Sequence, residues 1–243
     1  MPAKTAKAPF RPGYRLAAVA SFIPEGTVVA DIGTDHAYLP LYLVTQKACP
    51  RILAVEKSQK NCDRAREVVS LFNLEHKIEV RCADGLPALR EEDGVAVIVI
   101  AGLGGKTICR LLMAAGNSLE RYRRLVLQPM GDAPLLRRWL VARGFALTAE
   151  RLAREKGHFY EIIAAERGRM HVADPFYYEL GPALLVSRDP LLVPWLQQKI
   201  RRCERILEGL QKAGSGEREG RYRYYVARHK RLKDVLLDVC YGK

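Results

Sequence analysis

The sequence predicts an α/β fold, a doubly wound seven-stranded sheet followed by a C-terminal antiparallel helical hairpin of coiled-coil type. From residue 27 to 165, short runs rich in Val and Ile alternate with helical stretches, the pattern of repeated strand–helix units. Runs such as "VAVIVIAG" (95–102) are apolar at every position, as a central strand buried on both faces requires. The hairpin rests on two apolar stripes spaced 4-3-4-3. They are Leu196, Ile200, Cys203, Leu207, Leu210 and Tyr225, His229, Leu232, Leu236, Val239, on either side of "KAGSGEREG".

Strands are expected at Val28–Ile32, Ile52–Glu56, Ile78–Cys82, Val95–Ala101, Arg124–Gln128, Ala146–Leu152 and Tyr160–Ala165. Between them "SQKNCDRAREVVSLFN" and "APLLRRWLVARG" read as helices, with Ser58 and Asp132 where N-caps belong and Gly144 just past an end. Only "AREKGHF" separates the last two strands, so they should form an antiparallel hairpin at the sheet edge. Seven strands ending in a hairpin point to the methyltransferase variant of the Rossmann-like architecture, since a nicotinamide-binding sheet usually continues with parallel units. The chain then divides into a flexible basic N-terminus (1–14), a ligand-binding α/β domain (15–167), a Pro/Gly-rich connector (168–194) and the basic helical hairpin (195–243).

No apolar run approaches the ~20 residues that cross a bilayer. The N-terminus "MPAKTAKAPFRPG" lacks the apolar core of a signal peptide. A cytoplasmic protein without a membrane partner is expected. Six cysteines (49, 62, 82, 109, 203, 240) lie far apart with no CxxC pair, which argues against a metal site and a disulfide framework and for small buried residues. The net charge of +13 is concentrated. Residues 195–243 carry 13 Lys/Arg against 6 Asp/Glu, and the first twenty residues carry Lys4, Lys7, Arg11 and Arg15 with no acid. Basic segments at both ends suggest a nucleic acid partner, with Arg11, Arg15, Arg201, Arg202, Arg205, Arg228, Lys230 and Arg231 as phosphate contacts. The plainer reading is a solvated basic helix face.

A doubly wound sheet brings four pieces together at the carboxyl ends of its strands. "DIGTDH" (31–36) follows the first, Glu56 ends the second, Asp84-Gly85 follows the third and "AGLGG" (101–105) follows the fourth. Where a pyrophosphate-binding turn would supply bare glycines, this chain has Thr34, Asp35 and His36. An acid there repels a pyrophosphate and attracts a cation. Glu56 is placed to accept ribose hydroxyls and Asp84 an exocyclic amine, while glycines give a floor that a ligand can approach closely. The set suits S-adenosylmethionine, a nucleoside with a sulfonium and no phosphate, better than NAD. Each residue alone has a plainer reading: Asp31 bracing its turn, Glu56 simply exposed, His36 structural, Asp84-Gly85 an ordinary turn.

"VVADIGTDHAYLPLYLV", "IVIAGLGGKTI", "RLVLQPM" and "HFYEIIAAE", with the C-terminal helical pair, resemble the bacterial tRNA (adenine-22-N1)-methyltransferases from Arg15 to the last helix. "DIGTDHAYLP" is the most specific element. The resemblance implies a Rossmann-like S-adenosylmethionine domain and a C-terminal coiled-coil-like domain that helps hold tRNA. By matching position, Asp31, Gly33, Asp35, His36, Glu56, Asp84, Gly85, Ala101 and Gly102 would line the cofactor pocket. "QPM" at 128–130 and Leu103 look like variants of the family pattern that bear on the fine shape of the adenine pocket.

Adenine N1 attacks with a lone pair, so position and orientation matter more than a general base. Asp35 and His36 are candidates for polar contacts to substrate or methionine, Tyr38 for stacking on the base, and Gln128 for reading the adenine edge. Two alternatives stand beside this reading. One is a methyltransferase of the same fold acting on another RNA position, a protein or a small molecule. The other is a non-catalytic RNA-binding protein with a relict cofactor fold. An NAD-dependent oxidoreductase is disfavoured by Thr34-Asp35-His36.

Overall fold

Strand β1 (Val29–Ile32) is buried at every residue and pairs in parallel on both sides, with β2 (Ile52–Glu56) and β4 (Val97–Leu103). β4, which carries most of the unbroken apolar run of residues 95–102, lies beside it with the parallel strand Arg124–Pro129 on its other side, the central position that run predicts. The structure is a computed structural model and describes residues 12–212 and 218–242. Arg11, a proposed phosphate contact, and most of the basic N-terminal segment lie outside the described residues.

Beyond β2 lies β3 (Ile78–Cys82), and beyond β4 lies β5 (Arg124–Pro129); β6 (Phe145–Glu155) and β7 (His158–Arg167) complete the order β3-β2-β1-β4-β5-β7-β6. The first five strands in that order are parallel, and β7 is antiparallel to both its neighbours. The chain turns outward in opposite directions from β1 and β4, so a crevice opens at the carboxyl ends of these two strands. Lys156 and Gly157, both at positive φ, make the two-residue turn of the β6–β7 hairpin.

Alternation along the strands divides the core between two faces. Val29, Ile52, Val97, Val99 and Val126 meet helices α1 (Tyr14–Ser21), α2 (Tyr38–Gln46) and α3 (Gln59–Leu71). Ile32, Val55, Ile98, Ile100 and Leu127 meet α4 (Gly105–Ala114) and α5 (Ala133–Ala142). One guanidinium is wholly buried under the edge hairpin. Arg137 of α5 donates to Glu150 of β6 at 2.6 Å, to Glu161 of β7 at 2.8 Å and to the Tyr178 carbonyl at 3.0 Å. Burial alone would lower its pKa, but the two carboxylates outweigh burial and raise it.

Several local expectations are corrected. The fourth strand runs two residues later than expected because it continues past Ala101 through a bulge at Gly102, where pairing shifts from Ala101–Gln128 to Leu103–Pro129. Ser58 and Asp132 occupy the N-cap positions without side-chain caps, Asp132 in the left-handed region. Gly144, at φ +77°, does follow the end of α5. Cys62 of α3 and Cys82 of β3 form a disulfide with Cα atoms 5.8 Å apart, against the expectation of no such bond. Cys49, Cys109 and Cys203 are the small buried residues foreseen, whereas Cys240 is exposed.

The chain forms two compact units, up to Ala183 and from Leu184 onward. The connector is partly helical, with α6 (Tyr177–Leu180) and α7 (Pro182–Ser187). In the second unit α8 (Leu192–Lys212) and α9 (Arg218–Tyr241) contact one another, and Leu196, Ile200, Cys203 and Leu232 of the two stripes are buried. His229 lies 3.0 Å from Glu204, Arg228 donates to Cys203 at 2.9 Å, and Gln211 donates to the Tyr222 hydroxyl at 2.9 Å. Among the described residues, no helix is long and apolar enough to cross a membrane.

Candidate active site

The loop after β1 begins with a turn that glycine makes possible. Gly33 has φ +84°, and its N–H and that of Thr34 both reach back to the Val55 carbonyl at 2.8 and 3.3 Å. Behind it Asp31 is only 6% exposed. Burial raises its carboxyl from 3.8 to about 6, against the lowering effects of the Thr34 hydroxyl and the nearby charge of Arg15, with Glu56 adding to the rise. A buried carboxylate of this kind is poised to gain from a cation brought against it.

Beyond the turn, Asp35 and His36 stand 3.3 Å apart with Asp35 largely in solvent. The His36 ring stacks on Tyr38, centroids 5.3 Å apart and planes at 29°. Tyr38 opens α2 and is 43% exposed, so the pair presents an aromatic surface beside the carboxyl end of β1. Ala37 precedes the helix at φ +52° and is fully buried, which fixes the direction in which His36 and Tyr38 leave the turn.

Glu56 ends β2 directly opposite Cys82 of β3. Its carboxylate accepts from the Ser58 N–H at 2.8 Å. Its carbonyl accepts from Ala83 N–H at 2.8 Å and contacts Cys62 Sγ at 3.2 Å, so the disulfide brackets the main chain that carries this acid. Asp84 follows in solvent with Lys57 at 3.7 Å. Gly85 has φ +74°, and a Cβ there would lie 2.8 Å from Leu111, so the turn beside Asp84 requires glycine.

The floor is main chain. Gly102 sits in the β4 bulge at φ +81°. Gly105 lies against the loop after β5: its N–H donates to Gly131 O at 3.0 Å, and a Cβ would come within 2.7 Å of Asp132 O. Met130 N–H donates in return to Leu103 O at 2.9 Å. The sequence reading grouped Gly105 with a floor but missed this crossing of two loops.

Gln128 departs most from expectation. It is wholly buried, its Nε2 donates to Pro129 O at 2.9 Å and its Oε1 accepts from Arg15 Nη1 at 2.7 Å. An amide so engaged presents no edge to adenine; it holds Arg15. That arginine, expected on RNA phosphate, reaches from α1 to the pocket floor, 5.7 Å from the centre of the Tyr160 ring. Of the other basic candidates, Arg201, Arg202, Arg205 and Lys230 are exposed, while Arg228 and Arg231 are half-buried and Arg228 faces Cys203.

The structure thus brings Asp31, Gly33, Asp35, His36, Glu56, Asp84, Gly85, Ala101 and Gly102 to the carboxyl ends of β1 to β4. An acid at each of the first three strand ends, with bare turns between, fits a phosphate-free nucleoside bearing a cation. Among the described residues, no three His, Cys, Asp or Glu side chains converge as metal ligands would.

The family described as tRNA (adenine(22)-N(1))-methyltransferase, TrmK, matches residues 29–231. The chain is 33% identical over 228 residues to the tRNA (adenine(22)-N(1))-methyltransferase of Bacillus subtilis, covering 91% of this chain and 95% of that one. It is also similar to the Streptococcus pneumoniae protein Sp1610 in complex with S-adenosyl-L-methionine, at TM-score 0.82 and 36% identity over 91% of this chain and 98% of the other. Mycoplasma capricolum TrmK with S-adenosyl-homocysteine aligns at TM-score 0.78 and 26% identity, over 94% and 98%.

Proposed function

The chain belongs to the tRNA (adenine(22)-N(1))-methyltransferase family and is an S-adenosylmethionine-dependent enzyme methylating N1 of adenine 22 in tRNA; we propose that the strand-end site performs that transfer, in the cytoplasm. The observation that carries this assignment is the row of acids, Asp31, Glu56 and Asp84, at three adjacent strand ends around glycine turns.

S-adenosylmethionine, when bound, supplies a methyl group on a cationic sulfur. Glu56, held by Ser58 N–H, accepts from ribose hydroxyls, and Asp84 from an exocyclic amine. Gly33, Ala101 and Gly102 let the main chain approach closely. Asp31 balances positive charge at the pocket base. On the substrate side, adenine N1 lies on the Watson–Crick edge, so the base must leave its pairing, at a few kcal/mol. The His36–Tyr38 stack gives an extracted base a surface to lie on. N1 attacks without losing a proton and leaves a cationic base, which Asp35 stabilises. Holding N1 in line is the main work.

Methyl transfer from labelled S-adenosylmethionine to unmodified tRNA transcripts, with nucleoside analysis, tests the assignment. Label in 1-methyladenosine, lost when adenine 22 is replaced, supports it. Label elsewhere would mean another RNA position, and cofactor binding without transfer would mean a relict site.

Arg201, Arg202, Arg205 and Lys230 supply phosphate contacts. With four such contacts, tRNA affinity falls roughly 100-fold between 50 and 200 mM salt. Cutting the chain after Pro194 is expected to weaken tRNA binding more than tenfold, at roughly 1.4 kcal/mol per decade, while cofactor affinity holds. Equal losses of both would make the two helices a folding element instead.

A further inference from the structure

We infer that Arg15 binds the carboxylate of the methionine moiety of S-adenosylmethionine, and that Gln128 is the positioning residue that aims it. The inference rests on the cofactor assignment above.

Arg15 belongs to α1, which precedes the sheet, and its partner Gln128 lies 113 positions later at the end of β5. Three contacts fix where the guanidinium sits. Gln128 Oε1 takes Nη1 at 2.7 Å, the Tyr160 ring lies 5.7 Å below, and Nη1 is 3.8 Å from where a Cβ on Gly102 would be. The last distance matters most. Because Gly102 has no side chain, the cation stands over bare backbone on the cofactor floor rather than behind a wall.

Gln128 is built for this task. It is wholly buried, and its amide nitrogen is committed to Pro129 O. That bond fixes the amide so that its oxygen faces Arg15. A neutral acceptor orients a guanidinium without cancelling its charge, as a carboxylate would. Asp31 is buried near the end of β1, on the other side of β4 from Gln128, and its carboxylate feels the Arg15 charge. The pocket base therefore carries one fixed cation and one acid close together. An amino-acid headgroup has the complementary pair, an ammonium and a carboxylate, and a guanidinium is the side chain whose planar fork matches a carboxylate. A tRNA phosphate would fit the same cation chemically. The floor position beside Gly102 and the Gln128 clamp favour a ligand that lies within the crevice.

The test compares binding of S-adenosylmethionine and of its decarboxylated analogue to the full chain by calorimetry. The wild type is expected to prefer the carboxylated form roughly 10- to 100-fold, the range of a charge-assisted hydrogen bond. In Arg15→Met that preference falls below about threefold, with affinity for the analogue unchanged. Arg15→Lys restores part of it, which also shows that the position tolerates change. Gln128→Leu lowers the preference while raising KM for the cofactor more than it lowers kcat. An unaltered preference in a folded Arg15→Met protein overturns the inference. So does lost tRNA affinity with cofactor binding intact, which would return Arg15 to the phosphate contacts. A wild-type chain that binds neither compound would overturn the cofactor assignment itself.

Discussion

Arg137→Met is expected to destabilise the sheet domain by about 3–5 kcal/mol, because it strands buried carboxylates without their cation. Arg137 and Glu150 are both fully buried, and Glu161 is partly so. Their network ties α5 to both strands of the edge hairpin. It also reaches the connector through Tyr178 O and through Ala183 N–H, which donates to Glu150 at 3.0 Å. The chain has no room to rearrange there: a Cβ on Gly181 would lie 2.7 Å from Glu150 and 2.8 Å from Arg137. For a domain of this size the melting temperature should fall by about 6–20 °C. Thermal unfolding measures the loss, and an Arg137→Met protein that melts within about 2 °C of the wild type would show that the buried network does not hold the hairpin in place.

Asp31→Asn should have opposite effects on stability and on binding. Burial raises the Asp31 carboxyl from 3.8 to about 6, so ionisation is disfavoured in the folded chain. The penalty is absent below about pH 4, grows as pH rises through 6 and is complete above it. Asparagine keeps an oxygen for Thr34 and removes the charge. The unliganded variant should therefore be more stable at pH 8 by about 2–3 kcal/mol and unchanged near pH 4. Its cofactor affinity at pH 8 should fall roughly 10- to 100-fold. In the wild type, affinity should weaken by up to about tenfold per unit below pH 6, while the variant stays flat. A variant that gains stability and binds as well as the wild type would leave Asp31 as a brace for the turn alone.

What the sequence made legible was whatever is local. The central strand β4 announced itself by a run apolar on both faces, Val97 to Ile100. The acids Glu56 and Asp84 could be placed because a doubly wound sheet aligns strand ends whatever joins them. Tertiary placement was not legible. Nothing near Arg15 says that α1 lies over the end of β5, so its charge read as part of a basic tail. Gln128 read as a polar group at a strand end, and only the fold shows its amide closed off by Pro129 and Arg15. Cys62 and Cys82 are separated by 20 positions without a motif, and they meet because α3 returns across the β2–β3 edge. Capping failed at Asp132 for a related reason: it adopts positive φ where its loop crosses Gly105.

That crossing separates what can drift from what cannot. Leu103 O, Met130 N–H, Gly105 N–H and Gly131 O hold the two loops together through main-chain atoms alone. The crossing itself is therefore independent of the side chains at 103 and 130, although Leu103 also lies over Gly33, its Cδ1 3.4 Å from where a Cβ there would be. A change in either side chain can reshape the surface above the crossing while the main-chain bed stays where it is. Gly105 allows no such change, since a Cβ there would lie 2.7 Å from Asp132 O and force the two loops apart.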